Sequence, residues 1–132
     1  MDTHRTIFVL DTPFLDAWSV EVVDTAFERY LKSAPLRSRV PVDFHSVQYM
    51  SSAIGIICMA MTKGFEHVVV CMRMNPNCCE VVDLTNWNRL PCFDFTTEGE
   101  CPSCGGDFDH TRFECVDCGA FEQDRVVWRP KR

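Results

Sequence analysis

The sequence contains no apolar run close to the roughly 20 residues that a membrane-spanning helix needs. Its longest candidate, Ala53 to Met61, covers only nine residues and has the spacing of an amphipathic helix. The N-terminus lacks the succession of basic, apolar and small residues that marks a secretory signal. We therefore expect no membrane association and an intracellular location, cytoplasmic or nuclear.

Positive charge is also scarce, because 13 Lys and Arg residues face 19 Asp and Glu residues and leave a formal net charge of −6. This balance argues against a protein whose main task is to coat nucleic acid. The sequence has no phosphate-cradling glycine loop, no His-Glu-x-x-His helix and no nucleophile elbow. Its 132 residues, 46% of them hydrophobic, suit one globular domain or a small domain with a satellite module.

Cysteine, in contrast, is abundant, with nine residues in the chain. An odd number of cysteines without a secretory signal favours a reducing compartment and metal binding over disulfides. The last four cysteines form two Cys-x-x-Cys pairs separated by ten residues, and a glycine follows each pair: Cys101, Cys104, Gly105, then Cys115, Cys118, Gly119. Two cysteines at this spacing direct both sulfurs at one ion from a tight turn that the glycine closes.

Two such turns supply four thiolates, which suit a tetrahedral Zn²⁺ ion. Four protein ligands leave no open coordination position, so we expect one structural zinc ion held by Cys101, Cys104, Cys115 and Cys118. The segment from about Glu98 to Trp128 resembles a short zinc ribbon in its two pairs and its glycines. The resemblance implies a zinc-held β-hairpin. It implies no activity, because zinc ribbons serve in polymerase subunits, ribosomal proteins, nucleases and adaptors.

The first 95 residues show alternating strand and helix patterns. Pro41 cannot donate to a sheet ladder, which indicates that its strand lies at an edge. The pattern predicts a small α+β or α/β domain with two helices on a sheet, residues 1–95, followed by the zinc ribbon with its basic tail, residues 96–132. The predicted elements are a strand at 6–11, a helix from Ala17 to about Lys32 capped by Asp16, an edge strand at 40–44, a helix from Ser46 to Gly64, and a hairpin with strands at 66–72 and 79–84.

Charge is unevenly distributed along the second module. Residues 98–124 carry a formal charge of −7, which repels phosphate and weakens a direct role of the predicted ribbon in nucleic-acid binding. The tail has the opposite sign and contains a tryptophan that, if exposed, would stack on a base or enter an acidic groove. The candidate partner-binding residues are Arg125, Trp128, Arg129, Lys131 and Arg132.

These features favour a non-enzymatic, zinc-binding interaction or adaptor protein with a protein partner. Such a chain would be a subunit or regulatory factor of a larger assembly, a class that includes viral accessory proteins. One alternative is an RNA- or DNA-binding factor that uses the basic tail. A further alternative is a Mg²⁺-dependent nuclease similar to PIN-type endoribonucleases, in which Asp11 at a strand end would bind metal together with Asp43 and Asp83. A second metal site formed by Cys78, Cys79 and Cys92 is a further hypothesis.

Overall fold

The structure is a computed structural model. It describes residues 4, 6–15, 17–51, 67–90, 93–96, 100–101, 104, 106–109, 114–118 and 125–129, with the backbone alone at 17–24, 88 and 114. The elements in chain order are β1 (Ile7–Leu10), β2 (Phe14–Leu15), α1 (Ala17–Ser33), β3 (Arg39–Asp43), β4 (Tyr49–Met50), β5 (Val68–Met72), α2 (Pro76–Leu84), a 3-10 helix (Trp87–Arg89), β6 (Phe93–Phe95), β7 (Phe108–Asp109), β8 (Glu114–Cys115) and β9 (Arg125–Trp128).

The central feature is a five-stranded sheet with the order β6-β5-β3-β1-β9. Every neighbouring pair in it is parallel. The strands β1 and β5 are rich in β-branched and other apolar residues, as expected of strands buried on both faces of a parallel sheet. The two α-helices and the sheets of the described chain confirm, at this coarse level, the prediction that helices and strands are combined.

Helix α1 covers one face of the sheet, and its predicted bounds are confirmed to within one residue. Phe27 and Tyr30 lie on its buried side and pack against Phe8 of β1, with ring centroids 5.2 and 5.3 Å from that of Phe8. The strand predicted at 6–11 is likewise confirmed as β1. Asp16, the predicted cap of this helix, lies outside the described residues.

The prediction that the strand containing Pro41 lies at an edge is wrong, because β3 lies between β1 and β5. Backbone contacts lie on both sides of the proline. Before it, the N–H of His4 donates to the carbonyl oxygen of Arg39 at 2.7 Å, and after it the register with β1 begins at Val42. At this point the Tyr30 hydroxyl donates to the carbonyl oxygen of Thr6 at 2.6 Å and lies 3.3 Å from that of Pro41. A side chain from α1 thus supplies the Thr6 carbonyl oxygen with a donor at the place where the proline has no N–H.

The predicted hairpin is wrong in its second strand, since residues 76–84 form helix α2. Asn75 caps this helix: its side-chain oxygen accepts a hydrogen bond from the backbone N–H of Cys78 at 2.9 Å. Pro76 occupies the first helical position, where its fixed φ and missing N–H are tolerated. The same Asn75 side chain donates to the carbonyl oxygens of Val47 and Gln48 and so ties α2 to the segment before β4.

The helix predicted from Ser46 is wrong at its start. Residues 49–50 form the short strand β4, which pairs in parallel with β2. The remainder of that predicted helix, residues 52–64, lies outside the described residues.

Strand β9 pairs in parallel with β1 over its whole length, with Arg125 opposite Ile7 and Trp128 opposite Leu10. A segment close to the C-terminus therefore completes the sheet that the N-terminal residues begin. Trp128 is only 6% exposed and belongs to the same buried cluster as Phe8 and Leu10. The condition for a binding role of this tryptophan, an exposed ring, is therefore not met. The division of the chain after residue 95 stays a prediction.

None of the helices in the described part of the chain is long and apolar enough to cross a membrane.

Candidate metal centre

The sulfur atoms of Cys101, Cys104, Cys115 and Cys118 all lie within 4.8 Å of one another. The Sγ atoms of Cys101 and Cys118 are 3.9 Å apart, and those of Cys104 and Cys115 are 3.4 Å apart. With Zn–S bonds of about 2.3 Å, a regular tetrahedron places its sulfurs about 3.8 Å from each other. The four thiols therefore have the spacing that a single tetrahedral ion requires, and the two predicted pairs are brought together.

Short antiparallel pairings position these cysteines. Strands β7 and β8 pair with Phe108 opposite Cys115, and an isolated bridge joins Glu100 to Asp107 just before the first pair. The backbone N–H of Cys101 donates to the carbonyl oxygen of Gly106 at 2.8 Å, which closes the turn around the first pair. Both pairs thus lie on turns that the local backbone holds in place.

Backbone amides point at the sulfurs in both turns. The N–H of Gly106 donates to Sγ of Cys104 at 3.4 Å, and the N–H of Cys118 donates to Sγ of Cys115 at 3.3 Å. Such amide dipoles stabilise negative charge on sulfur, which is the form that binds a metal. The arrangement is the one expected from the two Cys-x-x-Cys pairs, although Gly105 and Gly119 lie outside the described residues.

Sequence reasoning missed the link between the two turns, which Gly106 and Asp117 form. The Asp117 carboxylate accepts a hydrogen bond from the backbone N–H of Asp107 at 2.8 Å. A Cβ atom at position 106 would lie 2.1 Å from that carboxylate, so only glycine fits there. The doubled glycine after Cys104 is the sequence signal that could have suggested this close approach.

The cluster has a buried side and an exposed side. Cys101 and Cys115 are buried, whereas Cys104 and Cys118 are exposed. The two buried cysteines belong to one apolar cluster with Phe108 of β7, Ile7 of β1, and Val70 and Met72 of β5. Because Phe8, Leu10 and Cys71 face the α1 side, this cluster lies on the opposite face of the sheet. The cysteine cluster thus covers part of the face that α1 leaves bare.

The environment changes the acidity of the thiols. Burial raises the pKa of Cys115, but the N–H of Cys118, followed by the neighbouring thiols and Asp117, outweighs burial and lowers this pKa to about 7. The Gly106 N–H lowers the pKa of Cys104, yet the interactions with Cys115 and Cys118, together with desolvation, leave it raised. The mutual interaction of Cys104 and Cys115 thus shifts their two pKa values in opposite directions.

The other candidate metal residues are not gathered into a site. In the described chain the four cysteines are the only group of three or more potential ligands. Cys78 is buried and donates to the carbonyl oxygen of Val47 at 3.7 Å, and burial, with help from Cys79, raises its pKa to about 11. Cys79 is exposed on the first turn of α2, and Cys92 lies outside the described residues.

Two of the three carboxylates of the nuclease alternative, Asp11 and Asp43, lie at the carboxyl ends of neighbouring strands, but each is paired with an arginine. Asp43 is buried and paired with Arg73, whose Nε donates to Oδ1 at 3.0 Å. Asp11 is paired with Arg129. Asp83 is exposed on α2 and belongs to no group of potential ligands in the described chain.

The basic tail is placed only in part. Arg125 and Arg129 are exposed at the two ends of β9, and Trp128 between them is buried. Lys131 and Arg132 lie outside the described residues.

Neither a protein-family model nor a curated protein matches this chain, so the interpretation of the site depends on its own geometry.

Proposed function

We propose that this chain binds one structural Zn²⁺ ion through Cys101, Cys104, Cys115 and Cys118, in a short zinc-ribbon hairpin. The observation that carries the proposal is the mutual spacing of the four sulfur atoms, all within 4.8 Å. Sulfur donors favour zinc over magnesium or calcium. Four thiolates complete a tetrahedron, so the bound ion offers no open position to a substrate.

The ion would act by fixing the shape of the hairpin that covers the second face of the sheet. Strands β7 and β8 contain two residues each, which is too little hydrogen bonding to hold a hairpin in water. Parallel sheets need apolar cover on both faces. The buried contacts of Cys101, Cys115 and Phe108 with β1 and β5 would then depend on the metal.

We further propose that the zinc-loaded protein is a non-enzymatic adaptor that docks onto a protein partner within a larger assembly. Exposed apolar side chains support an interaction role. Phe14 and Tyr49, 51% and 54% exposed, stack with ring centroids 5.8 Å apart and an interplanar angle of 9°. Val116, between the cysteines of the second pair, is also largely exposed.

Metal analysis of the purified protein tests the zinc centre. We expect one zinc per chain, and substitution by Co²⁺ should give the absorption bands of a tetrahedral tetrathiolate complex. Cys115→Ser should lose the ion, because oxygen is a poor replacement for a buried thiolate. Cys79→Ser is the matched control, since Cys79 is exposed and outside the cluster, and it should retain full zinc occupancy. A metal-free chain with ordered β7 and β8, or disulfides among the four cysteines, would contradict the proposal.

The adaptor role has a separate test. A partner captured with the zinc-loaded protein should bind it directly when both are purified, and the complex should form less well with Cys115→Ser. The non-enzymatic role would be overturned by a nuclease activity that Asp11→Asn removes while the fold and the zinc content stay intact.

A further inference from the structure

A groove of 390 Å³ lies between α1 and the edge strand β9. Ala26, Arg29, Tyr30 and Ser33 line it from the helix, and Val126 and Trp128 line it from the strand. Its floor is apolar, since Tyr30 and Trp128 are both buried members of the core under α1. Val126 and Val127 are 41% and 45% exposed, so the strand offers apolar surface at the side of this groove.

The backbone of β9 is also directed outward at one position. The carbonyl oxygen of Trp128 accepts a hydrogen bond from the N–H of Asp11 at 2.9 Å, so the polar groups of Trp128 face β1. Because successive residues of a strand alternate in direction, the N–H and C=O of Val127 face away from β1. The sheet order places β9 at the edge of the sheet in the described chain. Val127 therefore presents a donor and an acceptor to an added strand.

Cationic side chains surround this edge. Arg125 and Arg129 are exposed at the two ends of β9, and exposed Arg29 lines the groove from α1. Arg129 is already paired with Asp11, which fixes its position at the end of the strand. This local charge contrasts with the net charge of −6 for the whole chain. An acidic ligand is therefore attracted to this edge while the rest of the molecule repels it.

We propose that the edge of β9 binds an extended, acidic and apolar segment of a protein partner, which adds to the sheet as a sixth strand. Main-chain hydrogen bonds to Val127 would supply affinity, and an apolar side chain of the segment would enter the groove beside Val126. A carboxylate of the segment would meet Arg29, which lines the groove from α1. The proposal rests on the adaptor role proposed above and specifies the kind of partner that role requires.

A second copy of the chain suits this edge less well. Antiparallel pairing of two β9 strands about Val127 would set Arg125 of each copy opposite Arg129 of the other, and like charges in directly opposed positions destabilise a sheet. Two residues that follow β9 in the sequence, Lys131 and Arg132, are also cationic and do not complement the edge. Charge thus selects an acidic partner.

The probe is a fluorescent peptide of alternating valine and aspartate, titrated into the full-length, zinc-loaded protein. We expect saturable binding that weakens with added salt. Val127→Pro should weaken it by about tenfold or more, because proline removes the outward N–H while leaving the pairing with β1 in place. Arg29→Glu should weaken it about three- to tenfold, whereas Arg89→Glu, a matched reversal beside the opposite edge strand β6, should leave it unchanged.

Two ligand controls keep the test independent of the folding of any variant. A peptide with N-methylated amides should lose binding to the wild-type protein, and a peptide with lysine in place of aspartate should not bind. Binding that survives both N-methylation and Val127→Pro would overturn strand addition. No binding at millimolar peptide, or a dimer that Val127→Pro dissociates, would overturn the proposal that an acidic partner occupies this edge. Zinc content is measured in the same samples, so loss of the metal centre is distinguished from failure of the docking edge.

Discussion

Phe108 joins the cysteine cluster to the sheet, so its contribution to stability should depend on the metal. Its ring is buried together with Ile7, Val70 and Met72, and truncation of a buried phenylalanine costs about 3–5 kcal/mol. If the ion holds the hairpin against the sheet, chelation releases Phe108 into water. The cost of Phe108→Ala should then fall below about 1 kcal/mol. Phe27→Ala is the matched control, because Phe27 is buried against Phe8 on the α1 face, where the metal has no part.

The assay is urea unfolding of wild type and both variants, with zinc and after chelation, followed by the fluorescence of the buried Trp87 and Trp128. Phe27→Ala should cost about 3–5 kcal/mol in both conditions. The coupling energy between the ion and Phe108 is the cost of Phe108→Ala with zinc minus its cost after chelation. An equal cost of Phe108→Ala with and without zinc would refute the reasoning. Complete loss of the unfolding transition on chelation would refute it as well, because the sheet would then depend on the metal throughout.

Three further predictions concern the sheet itself. Tyr30→Phe leaves the Thr6 carbonyl oxygen without its donor at 2.6 Å, so urea unfolding should show a loss of about 1–3 kcal/mol. Asp43→Asn should cost about 3–5 kcal/mol in the same assay, since it leaves the largely buried Arg73 without a counter-charge. Burial, aided by the imidazole of His67, lowers the pKa of His4 below 6.5 in the folded state. Because the unfolded chain then binds the proton more tightly, the free energy of unfolding should fall as the pH drops through 6.5, and His4→Gln should reduce that fall.

The matched control for Asp43 is the more exposed ion pair between Arg39 and Asp94, whose atoms are 2.7 Å apart. Asp94→Asn should cost less than about 1 kcal/mol, because water screens the pair. Equal losses of unfolding free energy for Asp43→Asn and Asp94→Asn would show that burial of an ion pair does not set its contribution to stability. A change below about 0.5 kcal/mol for Tyr30→Phe would show that the ladder at Pro41 needs no substitute donor. For His4, an NMR titration midpoint at or above 6.5 would contradict the expected direction.

Local patterns carried the predictions that the structure confirms. The apolar run of β1 and the one-sided apolar spacing of α1 are properties of neighbouring residues, and both elements appear where they were expected. The spacing of the four cysteines is local within each pair, and the structure brings the sulfurs of both pairs within 4.8 Å of one another. These features could be predicted because they need little knowledge of the rest of the chain.

The helix α2 was missed although its signals are local. Its residues include the apolar run Cys78, Cys79, Val81 and Val82, which has the β-branched character of a strand. The decisive signals lie before that run, in Asn75 as the cap and Pro76 at the first helical position. The strand propensity of the valines thus conflicts with the chemistry of the helix start, and in the fold the helix start prevails.

The position of β3 could not be predicted from its own residues. Pro41 normally excludes a central strand because it removes a ladder hydrogen bond. Here the Tyr30 hydroxyl, eleven residues earlier on α1, occupies the place where that bond is missing. Only the packed helix reveals that the cost of the proline is offset, and no local pattern contains that information.

The pairing of β9 with β1 joins residues as far apart as Ile7 and Arg125, and such a contact is costly to form in an open chain. The cysteine cluster would bring these two distant strands close together. Cys118 lies a short segment before β9, while Cys101 and Cys115 are anchored on β1 and β5 through Ile7 and Val70. Once the hairpin is seated there, β9 is already near the open side of β1, and burial of Trp128 beside Leu10 completes the sheet. The proposed metal would therefore set where the last strand lies, and with it the edge at which a partner could add another.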